Sequence, residues 1–183
     1  SKETPSFEEI YKYYNKPYQC DINGHSNAVI TYSFGISGTP KGIVISHRNL
    51  IDSARVVTQY LKLQQDDVIS GMLIFNLDYG LNQLFCTLYK RATLALHRFL
   101  LPDDFFNHLI NDKVTVLPLM PFNISQIFED GTDRTPSPEL FDNIKTITSS
   151  GGTVTAKMIE DCKNTFRNAD FYSMHGLTEA FRS

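Results

Sequence analysis

The sequence has 183 residues, of which 42% are hydrophobic and 20% charged, and its net charge is −3. These values are typical of a globular protein, and the length suits one domain with a substantial core. The sequence has no basic cluster of the kind that binds nucleic acid, and no apolar run reaches the roughly 20 residues of a membrane span. The three cysteines are widely spaced and form no Cys-x-x-Cys pair, and the first residues printed contain no apolar segment typical of a signal peptide. We therefore expect reduced thiols and a cytoplasmic protein.

Hydrophobic periodicity and turn residues predict an alternation of strands and helices along the chain. The first 27 residues are expected to form a short helix and a lead-in segment, and a turn-rich loop is expected over 131–138. Strands are predicted at 28–32, 42–45, 67–74, 92–97, 114–117, 144–148 and 170–173. Helices are predicted at 49–63, with Ser46 as the N-cap, and at 80–89, 102–110, 121–128 and 155–166.

This alternation predicts an α/β fold, with a mostly parallel sheet covered by helices on both faces. The unit is expected to span 28–183, after the lead-in segment 1–27. Ligands in such sheets bind at the carboxyl ends of the strands, where the unusual segments of this sequence fall.

The most informative segment is a glycine- and hydroxyl-rich loop between the first two predicted strands. Its glycines let backbone N–H groups approach an anion, its hydroxyls donate hydrogen bonds, and its lysine adds a positive charge, which suits a polyphosphate. A strand follows the loop, whereas a helix follows the loop of nucleoside triphosphatases. The alternative is a plain β-turn with an exposed lysine. The loop residues that would contact a polyphosphate are Ser33, Gly35, Ser37, Gly38, Thr39 and Lys41.

A second segment, 74–80, follows a predicted strand and precedes a predicted helix. Its polar residues either line a pocket or simply cap the helix, with Asn76 or Asp78 as the N-cap.

Two further segments follow the last two predicted strands. Gly151 and Gly152 permit either close approach to a flat ligand or a tight turn. The segment 175–179 reads His-Gly-Leu-Thr-Glu, and its hydroxyl and carboxylate are oxygen donors suited to Mg²⁺, or else open a helix.

In this order and spacing, the four segments resemble the motifs of the adenylate-forming enzymes. That superfamily includes acyl-CoA synthetases, the adenylation domains of peptide synthetases and luciferases. Its phosphate loop ends in Pro-Lys-Gly, as residues 40–42 do, and its later motif is Tyr-Gly-x-Thr-Glu. The departures are Phe34 and Ile36, where hydroxyl residues are usual, Leu77 in place of a histidine or aromatic residue, and His175 in place of tyrosine.

The resemblance implies that a carboxylate is activated by ATP and Mg²⁺ to an acyl-adenylate and then passed to coenzyme A or an acyl carrier protein. Lys41, Thr178 and Glu179 would be catalytic, with Glu179 holding the metal ion. The carboxylate substrate would lie against Leu77, Asp78, Tyr79 and Gly80. The nucleotide would contact Ser33, Gly35, Ser37, Gly38, Thr39, Lys41, Gly151, Gly152, Thr153, His175, Gly176 and Thr178.

The resemblance also implies that the chain is part of a larger N-terminal domain, because the superfamily's later ribose-binding aspartate and C-terminal domain have no counterpart here. We therefore expect the chain alone to complete neither half-reaction, which a carboxylate-dependent exchange of pyrophosphate into ATP would contradict. Within the superfamily, an acyl-CoA synthetase is the first expectation. The alternatives are an amino-acid adenylation domain, in which Asp78 pairs with the substrate amine, and a nucleotide-binding module without catalysis.

Overall fold

The computed structural model describes residues 21–33, 39–99, 101–128 and 136–181. The predicted N-terminal helix lies outside these residues, as does most of the predicted loop 131–138. Five helices are described: α1 (His47–Tyr60), α2 (Asp78–Lys90), α3 (Pro102–Asn111), α4 (Pro121–Phe128) and α5 (Ala156–Thr165). Seven strands are described: β1 (Asn27–Ser33), β2 (Lys41–Ser46), β3 (Val68–Gly71), β4 (Thr93–Leu96), β5 (Val116–Leu119), β6 (Thr146–Ser149) and β7 (Asp170–Ser173). Short 3₁₀ turns cover Pro138–Phe141 and Thr178–Ala180.

Five of the strands form one parallel sheet in the order β4-β3-β5-β6-β7. Each pair of successive strands in this sheet is joined through a helix, as parallel pairing requires. The predicted α/β fold with a mostly parallel sheet is confirmed.

Helices cover both faces of this sheet. Neighbouring residues on a strand point to opposite faces, so two successive residues of β5 contact different helices. On β5, Val116 packs with residues of α1 and α2, which are Ala54, Val57 and Cys86. The next residue, Leu117, packs with residues of α3, α4 and α5, which include Phe105, Ile124 and Cys162. Both Cys86 and Cys162 are buried free thiols.

The strands β1 and β2 do not join the parallel sheet but form a separate antiparallel hairpin. Residues 34–40 are too few for the crossover that a parallel pair would need. Ser33 and Lys41 face each other as the last pair before the loop.

The N-cap predicted for α1 is present in the structure, whereas the N-cap predicted for α2 is not. The Ser46 hydroxyl accepts a hydrogen bond from the Asn49 backbone N–H, so the predicted N-cap of α1 is confirmed. The prediction that Asn76 or Asp78 caps α2 is wrong, because Leu77 occupies the cap position without a side-chain bond. Asp78 is instead the first helical residue, where its negative charge interacts favourably with the positive end of the helix dipole.

The third strand is shorter than predicted and ends at Gly71 rather than at residue 74. Residues 72–77 leave the sheet and form the connection to α2. Within the described residues, no helix has the length and apolar character that a bilayer crossing requires.

Candidate functional site

The strand order reverses between β3 and β5, and this reversal locates a crevice. From β3 the chain passes through α2, which covers the same face of the sheet as α1, to the edge strand β4. From β5 the chain passes through α4, which covers the other face of the sheet, to β6, so it moves away from β3 and β4. Connections that diverge in this way open a crevice at the carboxyl ends of the strands, where ligands of such sheets bind.

The segments after β6 and β7 leave the same edge of the sheet as that crevice. The two strands pair in parallel up to Ser149 and Ser173, and the Met174 N–H donates to the Ser149 carbonyl oxygen over 2.8 Å. The structure therefore brings the 151–153 and 175–179 segments to one edge, as expected for a shared site.

Gly151 and Gly152 are exposed, and their backbones pack closely against the start of α4. Gly151 has a φ of +86°, and a Cβ on it would lie 3.1 Å from Met120 Cε. A Cβ on Gly152 would lie 3.3 Å from Pro121 Cγ. The chain bends at both glycines, and Thr153 beside them is exposed.

The segment predicted to bind the substrate enters α2 at the crevice. Its residues Leu77 and Asp78 are half-buried, whereas Tyr79 and Gly80 are buried. The Tyr79 hydroxyl lies 2.6 Å from the Thr148 hydroxyl, which ties the first turn of α2 to the carboxyl end of β6.

The phosphate-loop residues are described only in part. Gly35, Ser37 and Gly38 lie outside the described residues, together with the two departures Phe34 and Ile36. Ser33 is half-buried, and Thr39 and Lys41 are exposed at the loop end of the hairpin.

The hairpin contacts the segment that carries the Thr-Glu motif. Strand β1 lies against the Thr178–Ala180 turn, and the buried Phe181 packs with Ile45 and Leu50. His175 and Glu179 are exposed, while Gly176 and Thr178 are half-buried. This packing places the Thr-Glu segment against the hairpin, near the end that holds Val29 and Ile45.

The structure also shows a buried polar cluster that sequence reasoning missed. His108 Nε2 lies 3.0 Å from Ser70 Oγ, and His108 Nδ1 lies 2.7 Å from Asp112 Oδ2. The order of groups matches a Ser-His-Asp triad, but Ser70 is 0% exposed, so no substrate can reach its hydroxyl. We interpret the cluster as a support for β3. The available signal was the i,i+4 spacing of His108, on the predicted helix 102–110, and Asp112, two residues beyond its end.

Burial lowers the pKa of His108, against the opposing effect of its hydrogen bond to Asp112. Because a carboxylate only accepts, Nδ1 carries the proton and Nε2 accepts from the Ser70 hydroxyl. The imidazole is therefore held neutral in one tautomer.

A sequence profile described as AMP-binding enzyme matches residues 1–181. The chain is 26% identical over 188 residues to 4-coumarate--CoA ligase-like 6 of Arabidopsis thaliana, covering 97% of this chain and 32% of that protein. It is 26% identical over 156 residues to bacitracin synthase 2 of Bacillus licheniformis, covering 84% of this chain and 6% of that protein. A solved benzoate CoA ligase from Burkholderia xenovorans LB400 has a TM-score of 0.78 at 22% identity, covering 88% of this chain and 32% of that one. The chain thus spans about a third or less of these relatives.

Proposed function

The chain belongs to the AMP-binding enzyme family, and we propose that it forms the nucleotide-binding part of a cytoplasmic, AMP-forming acid–thiol ligase of the acyl-CoA synthetase type. The observation that carries the proposal is the packing of the β1–β2 hairpin against the Thr178–Ala180 turn. The hairpin that carries the phosphate loop and the Thr-Glu motif are separated by more than a hundred residues in sequence, yet they are in contact in the fold.

In the proposed reaction, a carboxylate oxygen of the substrate attacks the α-phosphorus of ATP. The bond from that phosphorus to the pyrophosphate oxygen breaks, giving an acyl-adenylate and pyrophosphate. The thiol of coenzyme A then attacks the acyl carbon, loses its proton and displaces AMP. No protein nucleophile takes part, so the chain contributes positioning and charge neutralisation.

We assign the departing phosphates to Lys41 and the hydroxyls and N–H groups of its loop. Thr178 would donate a hydrogen bond to the α-phosphate, and His175 would stack on the adenine. Lys41 is exposed at the hairpin end, so its ammonium group is free to reach an anion.

The oxygen donors of the Thr-Glu motif fit the magnesium ion that ATP carries. The Glu179 carboxylate is exposed and of the hard donor type that Mg²⁺ prefers, and Mg²⁺ normally keeps several water or phosphate ligands besides one or two carboxylates. Glu179 would hold the ion, which supplies charge neutralisation to the phosphates.

A second candidate is an adenylation domain that loads an amino acid onto a carrier protein. Asp78 favours it, because this half-buried carboxylate lies in the first turn of α2 at the crevice and belongs to the segment expected to bind the substrate. The similarity to bacitracin synthase 2 supports the same candidate. A nucleotide-binding module without catalysis is the third.

The test measures AMP release by the complete protein that carries this chain, supplied with Mg·ATP, coenzyme A and a panel of carboxylic acids. An acid that yields AMP and its coenzyme A thioester supports the ligase. AMP formation that depends on an amino acid and yields no coenzyme A thioester supports the adenylation domain. Binding of Mg·ATP without AMP release from any acid supports the module.

The role of Lys41 is tested in the same assay with the Lys41→Ala variant. We expect AMP release to fall by about 100-fold, because a charge on the departing phosphates is lost. Lys163→Ala is the matched control, since Lys163 is an exposed lysine in the last turn of α5. Equal activity of the two variants would refute the assignment.

A further inference from the structure

The Tyr79 side chain joins two parts of the molecule that are distant in sequence. Tyr79 belongs to residues 77–80, which we call the substrate segment, in the first turn of α2 after β3. Its hydroxyl lies 2.6 Å from the hydroxyl of Thr148, 69 positions away on β6. Because β5 stands between β3 and β6 in the sheet, the bond reaches past a whole strand.

The backbone of the sheet provides no such link at the place where the crevice opens. Strands β5 and β6 pair over four residues, up to Leu119 and Ser149. Among the described residues, β3 and β5 pair at Ile69 and Val116 alone, and β3 ends two residues later at Gly71. The connection from β3 into α2 is therefore not held by strand pairing, and the hydroxyl bond ties it to β6.

Both hydroxyls are shielded from water. Tyr79 is 4% exposed and Thr148 is 1% exposed. A hydrogen bond in such surroundings is stronger than one in water, and removing one partner leaves a buried hydroxyl without that bond. The Tyr79 carbonyl oxygen also accepts a hydrogen bond from Gln83 Nε2 over 3.4 Å. The hydroxyl of Tyr79 is thus engaged inside the protein rather than presented to a ligand.

The bond also connects the substrate segment to the motif expected to bind the nucleotide. Ser149 follows Thr148 on β6, and its carbonyl oxygen accepts a hydrogen bond from the Met174 N–H over 2.8 Å. The His-Gly-Leu-Thr-Glu motif begins directly after Met174. A continuous path of covalent and hydrogen bonds therefore runs from the substrate segment through β6 to that motif.

We propose that Tyr79 and Thr148 are positioning residues, whose bond sets the substrate segment at the distance from the nucleotide motif at which the carboxylate meets the α-phosphorus. This role rests on the proposed function, and it differs from the expectation that Tyr79 itself contacts the substrate. A displacement of the reacting atoms by about 1 Å can cost about 100-fold in rate. Loss of the bond therefore slows the chemical step more than it weakens the binding of either substrate.

The experiment measures the single-turnover rate of pyrophosphate release by the complete protein that carries this chain. It is supplied with Mg·ATP and the acid that gives the fastest AMP release in the panel above. Tyr79→Phe keeps the ring and removes the hydroxyl, and Thr148→Val removes its partner with little change in volume. We expect the rate at saturation to fall about tenfold in each variant, with the half-saturating concentrations of ATP and acid within about twofold.

The double variant and two matched controls separate positioning from stability. Tyr79→Phe combined with Thr148→Val should be no slower than either single variant, because the same bond is lost in all three. Tyr89→Phe, in the last turn of α2, and Thr146→Val, at the amino end of β6, should keep the rate within about twofold. Thermal melts show whether each variant is folded. A merely structural role would lower the melting temperature and leave the rate of the folded protein unchanged.

A second measurement tests the bond itself without any activity. In urea denaturation of the chain, each single variant loses the bond and leaves one buried hydroxyl without it, whereas the double variant loses only the bond. The effects of Tyr79→Phe and Thr148→Val on the unfolding equilibrium constant should therefore be non-additive by at least about threefold. Additive effects would overturn the proposal.

The remaining outcomes distinguish this proposal from the proposed function. If the unsubstituted protein releases no pyrophosphate with any acid, the proposed function fails and the positioning role fails with it. If the unsubstituted protein is active and both variants match their controls, the positioning role alone is refuted. A loss in Tyr79→Phe that varies with the acid and is absent in Thr148→Val would show that the tyrosine contacts the substrate directly, which also overturns the proposal.

Discussion

At the residue scale, the imidazole of His108 couples the stability of the fold to pH. Burial lowers its pKa, so the folded chain binds fewer protons than the unfolded chain once the pH falls below the ordinary histidine value of about 6.5. The contribution of His108 to stability is present above that value and is lost as the pH falls below it.

We predict that the free energy of unfolding decreases from pH 7 to pH 5, with a slope from His108 of at most about 1.4 kcal/mol per pH unit. Urea denaturation at several pH values measures it. His108→Gln should flatten the profile, whereas His25→Gln, at an exposed histidine, should leave it unchanged. A profile with the same slope in His108→Gln as in the parent chain would contradict the assignment.

At the element scale, the connection from β3 to α2 depends on a glycine within the helix. A Cβ on Gly80 would collide with the backbone carbonyl of Ile74, which the chain has folded back against the first turn of α2. The Leu77 N–H donates to the Ile74 carbonyl oxygen over 3.3 Å, so this loop is already closed on itself.

Gly80→Ala is therefore expected to destabilise the chain by about 1–3 kcal/mol, although alanine favours helices over glycine. Chemical denaturation measures the change. Gly24→Ala is the matched control, because a Cβ there would meet only Arg48 Cβ at an ordinary 3.5 Å. If Gly80→Ala were as stable as Gly24→Ala, the close packing of this loop would be disproved.

At the scale of the whole molecule, a buried carboxylate joins the amino ends of the central strands. Asp67, just before β3, accepts hydrogen bonds from Thr115 Oγ1 and the Gln64 N–H, each over 2.7 Å. Its Oδ1 also lies 2.7 Å from Lys145 Nζ. Thr115 and Lys145 directly precede β5 and β6, so one side chain links three neighbouring strands across the sheet.

Asp67→Ala is predicted to lower the free energy of unfolding by about 3 kcal/mol, because it removes two hydrogen bonds and an ion pair made by a buried carboxylate. The adjacent Asp66 is exposed, and Asp66→Ala should change stability by less than about 0.5 kcal/mol. A small effect of Asp67→Ala in urea denaturation would show that the sheet does not depend on this link.

Much of the fold could be predicted from the sequence because its signals are local. Helix α4 and strand β7 occupy the residues predicted for them, and the Ser46 cap is as predicted. Periodicity and caps act within one or two turns of chain, so a single sequence displays them. The cap of α2 was predicted wrongly, because Asn76 and Asp78 have cap-forming side chains but tertiary packing placed Leu77 at that position.

The sequence by itself determined the α/β class, the motif residues and the superfamily that they resemble, since these depend on residue type and short spacing. Only the tertiary structure decided that β1 and β2 form a separate hairpin and that the strand order reverses between β3 and β5. It also decided which distant side chains meet, such as Ser70 with His108, 38 positions apart, and Tyr79 with Thr148, 69 positions apart. The physical reason is that strand order and buried polar contacts are set by the packing of the whole chain, which no local pattern records.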